Sequence, residues 1–197
     1  MKIVSKTLSL MLVVAVTGIA ESIKPVTANI QLAQISTQAT TTVENPPISL
    51  ALPTMADIKL KNGESMTARV SRFDPQGQKI EFSRGKKSKL LSVTEVQQIV
   101  FKTGSLVYIG TGEIVIRGED KSKATQSVWS DIPLEAFELF DPQKGQARVN
   151  LATVIKNPNK LKEIRSVAVK GLYIADEIEL SSKGKMTIKV TPVDKKK

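Results

Sequence analysis

The sequence predicts a mainly β protein: a small antiparallel barrel at residues 55–103, followed by a second β-rich unit at 104–192. Three observations predict it. Between Asp57 and Phe101 apolar and polar residues alternate in short runs, the period of a half-buried strand. Turn residues separate those runs at short, even intervals, as they do in small sandwiches and barrels. A strand with a tight helical turn and an Asp-Pro turn, both present in that stretch, recur between Ser127 and Leu151.

Whole-chain quantities bound the rest. A chain of 197 residues holds one medium domain or two small ones, and 41% hydrophobic residues suffice for a core. The net charge of +10 points to acidic partners such as lipid head groups, polyanionic polymer or nucleic acid; a solvated basic surface is the plainer reading. There is no cysteine, which excludes disulfides, thiol catalysis, thiolate metal sites and lipid attachment through an N-terminal cysteine. There is no histidine either, so Ser-His-Asp and histidine–metal mechanisms are impossible within this chain.

Taken in order, residues 1–28 have the parts of a secretory signal peptide. Lys2 and Lys6 precede an apolar run from Leu8 to Ile19, and small-residue cleavage sites follow after Ala20 or Ala28. That run is shorter than the roughly 20 residues a spanning helix needs, so no transmembrane helix is expected in the mature form. Residues 29–54, rich in Thr, Gln, Ala and Pro and nearly uncharged, read as a flexible tether, whose cluster Ile48 to Leu52 could add an edge strand to the body.

Ile58 and Leu60 alternate with Lys59 and Lys61 before an Asn62-Gly63 turn. Met66, Ala68 and Val70 alternate with Thr67, Arg69 and Ser71, and Asp74-Pro75-Gln76-Gly77 turns the chain: Asp caps, Pro presets φ and Gly accepts positive φ. Ile80 and Phe82 form a third run, Gly85 among its lysines a third turn, and Leu90, Leu91 and Val93 a fourth strand. One tight helical turn then leads to Ile99-Val100-Phe101.

The opening Ile58-Lys59-Leu60-Lys61-Asn62-Gly63, a second strand ending Phe73-Asp74 and a closing strand after a helical turn resemble the SH3-like and Sm-like small barrels, including exported bacterial envelope domains of that shape. The resemblance covers residues 57–101. It implies an SH3-like fold for the first unit and offers an alternative function, an RNA-binding Sm-like barrel. In those RNA-binding relatives an Asn shortly after the Asp and an Arg-Gly near the barrel's end read the bases. Here Pro75, Gln76, Gly77 and Gln78 follow Asp74, while Ile116-Arg117-Gly118 resembles the Arg-Gly element.

Beyond Gly104, Leu106 to Ile109 and Gly112 to Gly118 read as strands, and Glu119 to Gln126 as a polar loop. Ser127 to Phe140 repeats the strand and helical turn of Leu91 to Phe101. Phe140-Asp141-Pro142-Gln143-Lys144-Gly145-Gln146 matches Phe73-Asp74-Pro75-Gln76-Gly77-Gln78, which fits either a duplicated barrel or two independent uses of a good turn. Leu151 to Glu163 reads as a loop with a short helix. Arg165 to Lys170, Leu172 to Leu180 and Met186 to Val190 read as three strands, the last two closed by Ser181 to Gly184. Residues 193–197 form a basic tail.

The candidate binding residues are cationic. If the apolar residues point inward, Lys59, Lys61, Arg69 and Lys79 point outward, and Arg84, Lys86, Lys87 and Lys89 decorate the adjoining turn. Such a row would neutralise phosphate or carboxylate on a partner; the competing reading is a guard against edge-to-edge aggregation. Aromatic residues do not interleave on that face, which disfavours nucleic acid. Glu177 and Glu179 are expected on one face and Asp176 on the other, and Trp129 in the core beside Ile132, Leu134 and Phe137. No catalytic residue, metal ligand or cofactor is assigned. The resulting expectation is an exported, periplasmic or extracellular, non-enzymatic binding or scaffolding module for a protein or acidic polymer of the cell envelope. A carboxylate-based enzyme is the third class, with no matched acid–base pair in view.

Overall fold

The computed structural model describes residues 45–110, 112–118 and 125–193. The expected signal peptide, most of the expected tether and the last four residues lie outside the described residues. The protein is mainly β, as its alternation predicts. In chain order the strands are β1 (Ile48–Ala51), β2 (Ala56–Leu60), β3 (Ser65–Asp74), β4 (Lys79–Arg84), β5 (Lys87–Ser92), β6 (Val96–Phe101), β7 (Leu106–Tyr108), β8 (Ile114–Ile116), β9 (Ser127–Pro133), β10 (Phe137–Asp141), β11 (Gln146–Val149), β12 (Leu172–Leu180) and β13 (Lys185–Pro192). Among the described residues one α-helix, α1 (Pro158–Val167), precedes β12.

The first five-strand run has the order β6-β2-β3-β4-β5, every pair antiparallel. Alternation dictates its inside: Ile58, Ala68, Val70, Ile80, Phe82 and Ile99 are buried while their chain neighbours face out. β3 is long enough to serve two partners. Ser65–Ala68 pairs with β2, Arg69–Asp74 pairs with β4, and a bulge between Val70 and Arg72 bends the strand there. The run curls as a half-barrel and does not close on itself, because β6 gives its second edge to β12.

β12 is the seam. On one side it pairs with β13 along its length, and the other side is shared. β1 lies parallel to Leu172–Ile174, and β6 lies antiparallel to Glu177–Glu179. The changeover coincides with a bulge between Ala175 and Glu177. From there the sheet continues through β1 to β11 and β10 in one direction and through β13 to β9 in the other; β7 and β8 form a separate hairpin. Residue 104 therefore marks no break in the sheet, and one hydrophobic cluster runs from Ile48 to Val190 across it. Trp129 sits in that cluster with Ile132, Leu134 and Phe137, its ring edge-on to Tyr173 at 5.0 Å.

Two expectations about strands change. Ile48–Ala51 is an interior strand rather than an edge: β11 flanks it antiparallel and β12 parallel. Arg165 to Lys170, read as a strand, is instead the end of α1 and a 3-10 turn at Val169–Gly171. The reason is the helix start upstream. The Asn157 side chain accepts from the Asn159 N–H at 2.9 Å and Pro158 opens the helix, so Leu161, Ile164 and Ala168 fall on one buried side. Arg165 then reaches back, its guanidinium donating to Asn45 Oδ1 at 3.0 Å and to the Pro46 carbonyl.

The two matched turns use the same chemistry in different places. Asp74 Oδ1 accepts from the Gly77 N–H at 2.9 Å between β3 and β4, and Asp141 Oδ1 from the Lys144 N–H at 3.1 Å between β10 and β11. The first precedes its strand–turn–strand unit (β5, β6), whereas the second follows its own (β9, β10).

Candidate functional site

The β4–β5 hairpin concentrates the cationic residues. Gly85, at φ 61, supplies the left-handed first position of a two-residue turn and closes Arg84 against Lys87. Arg84, Lys86, Lys87 and Lys89 are all exposed, and no acidic residue occurs between Arg84 and Ser92. None of the four stands in an ion pair among the described residues. Cross-strand partners share a face, so Lys89 opposite Phe82 and Lys87 opposite Arg84 project on the core-facing side, beyond the rim of the core.

The other predicted cations are elsewhere. Lys59 and Lys61 are exposed at the end of β2, where Lys59 lies opposite Ser65 and Gln98. Lys79 is exposed at the far end of β4, opposite Asp74 and Ser92. Arg69 is half-buried: its Nη2 donates to the Gln143 carbonyl in the β10–β11 turn, and its Nε is buried without a partner. The hairpin thus gathers four of the eight residues, and Arg69 holds two parts of the fold together.

Sequence reasoning missed the character of β5 as an edge. Among the described residues it has β4 on one side and no strand on the other. The Val93 N–H donates inward to the Gln78 carbonyl at 2.9 Å, while the Ser92 N–H turns outward to Glu95 Oε2 at 2.7 Å. With the period of two, Leu91 follows Val93, and the main-chain groups of Ser88 and Leu90 face outward with Ser92. The Leu90 side chain is 52% exposed. A signal for this was present: the tandem Leu90-Leu91 breaks the alternation, so one of the two must face out.

Carboxylates elsewhere are engaged internally. Asp176, at the β12 bulge, accepts from Arg117 Nη2 at 2.7 Å, Thr191 Oγ1 at 2.7 Å and Gln126 Nε2 at 2.9 Å. The Arg117 guanidinium, in the Arg-Gly element of the resemblance, is therefore committed to this carboxylate. Glu177 and Glu179 both meet Lys189 Nζ, at 3.0 and 3.2 Å, and, against the expectation from strict alternation, they share their face with Asp176: the bulge between Ala175 and Glu177 adds a residue, and Thr191 and Lys189, which hold the three carboxylates, lie two apart on β13. Burial works to raise the Glu177 carboxyl, but hydrogen bonds from Gln98 and the Lys189 ammonium outweigh it and hold the group below its ordinary range. Asp57 is also lowered, first by the Thr67 hydroxyl at 2.5 Å and then by Lys102. Two open grooves lie among the described residues. A polar one of about 360 Å³ includes Gln98, Asp131 and Lys185; a more apolar one of about 460 Å³ includes Tyr108, Phe140 and Leu172. Among the described residues no three or more acidic side chains are grouped as a metal site would require.

Comparison of the chain with protein-family models, curated proteins and solved structures returned no match.

Proposed function

We propose that this chain is an exported, non-enzymatic binding or scaffolding module of the bacterial envelope, with its first unit an SH3-like small barrel. It contacts a protein or an acidic polymer through the β4–β5 hairpin. One observation carries the reading: four exposed cations, in no ion pair among the described residues, stand together on a two-residue hairpin beside a sheet edge that no described strand covers. An internal salt bridge would have consumed such charge; left unneutralised, it is available to carboxylate or phosphate with salt-sensitive affinity. The five-strand run with a long bent second strand and a tight turn before its last strand supports the barrel assignment. Export rests on the charged start, apolar run and small-residue sites of residues 1–28.

Crosslinking in the native envelope tests this, with a high-salt wash and with Arg84, Lys86, Lys87 and Lys89 all changed to Gln in parallel. The expected result is a discrete crosslinked species in the wild type, weakened by salt and lost in the fourfold variant. An unchanged crosslink in the variant would move the contact off the hairpin. Recovery of the protein in the cytosol with Met1 intact would overturn export.

A further inference from the structure

We propose that β5 is a docking edge for an extended acidic polypeptide segment, which adds to the sheet as a further strand with acidic residues facing Lys87 and Lys89. The inference rests on the binding reading above and names its partner class.

Three features meet at this edge. Ser88 and Leu90 present main-chain donors and acceptors outward with no strand beside them. Buried or bare, such groups favour pairing, and strand addition satisfies them in one step. Lys87 and Lys89 are two residues apart, so their side chains share one face, and the positions beside them on an added strand would also be two apart. Leu90 and buried Leu91 continue the edge with apolar side chains, one on each face. The complementary segment has an acidic residue, any residue, an acidic residue and then apolar residues. A polyanion without a peptide backbone would use the ammonium groups and leave the main-chain row and Leu90 idle.

The chain contains its own example of this grip. Glu177, Ile178, Glu179 and Leu180 follow the same pattern, and the two carboxylates hold Lys189 on the neighbouring strand at 3.0 and 3.2 Å. That segment cannot serve another copy, because β12 is flanked by β6 and β13. Pairing β5 with β5 of a second copy would set lysines against lysines, which is destabilising across strands.

The test uses the full chain with two ten-residue peptides and heparin. One peptide has alternating glutamate and valine at its centre; the other has the same composition with its glutamates adjacent. The alternating peptide is expected to bind about tenfold tighter than the permuted one, weakening with salt. It should also slow amide hydrogen exchange at Ser88 and Leu90. Leu90→Pro removes an outward N–H and no ladder bond, so it should abolish peptide binding while heparin still binds. The exchange measurement on the wild type decides the matter even if that variant folds poorly. Equal binding of the two peptides without protection at Ser88 and Leu90, with heparin bound, would overturn strand addition and leave the cationic surface standing. Binding of none of the three would overturn both readings. Protection of the two amides in a concentration-dependent dimer without peptide would make the edge a self-interface and sink the proposal.

Discussion

At the scale of single residues, the cations that alternation places on one strand face do different work. Lys59 stands in solvent, whereas Arg69 spans from β3 to the Gln143 carbonyl in the β10–β11 turn, and the edge-on pair of Phe73 and Phe137 at 4.8 Å also joins β3 to β10. Arg69→Ala should therefore destabilise by about 1.5–3 kcal/mol, the range for a hydrogen bond to a charged group, and Lys59→Ala by less than about 0.5 kcal/mol. Thermal unfolding of the two variants measures this; equal effects would mean that Arg69 is as idle as Lys59. Glu177 makes a prediction in pH. Its carboxyl is held below the ordinary 4.5, so the folded state binds its proton less readily than the unfolded chain does. Its contribution to stability is complete above pH 4.5 and is lost as pH falls through the folded value. Glu177→Gln should narrow the gap between urea midpoints at about pH 7 and about pH 3.5. A gap as wide as in the wild type would show that the carboxylate's hydrogen bonds are not what acid removes. Lys189 answers on the alkaline side. Its ammonium is raised by Glu177 and Glu179, so its share is present below 10.5 and fades as pH rises through the folded value.

At the scale of elements, the position of a strand decides what the same substitution does. β1 has hydrogen-bonded neighbours on both sides and Leu50 is 1% exposed, so proline there removes a ladder bond and a buried side chain together. Leu50→Pro should cost about 3 kcal/mol or more and leave little folded protein, while Leu90→Pro on β5 should retain the native circular dichroism spectrum. Comparable losses in both would mean that β5 is not a free edge. The contrast also marks what could be read from the residues. β2, β3, β4 and β6 were legible because each has one buried face, so apolar and polar residues alternate and a register slip would expose the whole set. β1 was legible only as an edge strand, because Leu50, Ala51 and Leu52 are buried in succession and break the alternation that Ile48 and exposed Ser49 begin, the mark of a strand covered on both sides. The end of α1 was misread because Val167 and Val169 alternate like a strand, while the signals that decide it, Asn157 and Pro158, lie nearly ten residues upstream. The cations of the candidate site were legible as exposed charge. Their division into a hairpin cluster, two isolated groups and a structural arginine depends on registers and on a contact between residues 69 and 143, which no local pattern encodes.

At the scale of the molecule, the question is whether the two β-rich halves are one folding unit. β12 belongs to both: on one side β1 pairs with its first half and β6 with its second, while β13 pairs along its length on the other. The hydrophobic cluster that holds Phe82 in one half also holds Trp129 in the other, with no polar layer between. Loss of β12 would bare the edge of β6 and the apolar faces on both sides at once, so partial unfolding at the seam leaves neither half with a complete core. A single cooperative transition follows. Trp129, the only tryptophan, reports on the half that includes β9, whereas far-ultraviolet circular dichroism reports on every strand. The two signals should therefore follow the same urea curve with one midpoint. A second transition seen by circular dichroism and missed by Trp129 fluorescence would mean that residues 55–103 fold on their own. The seam at β12 would then be a contact between two domains rather than a shared core.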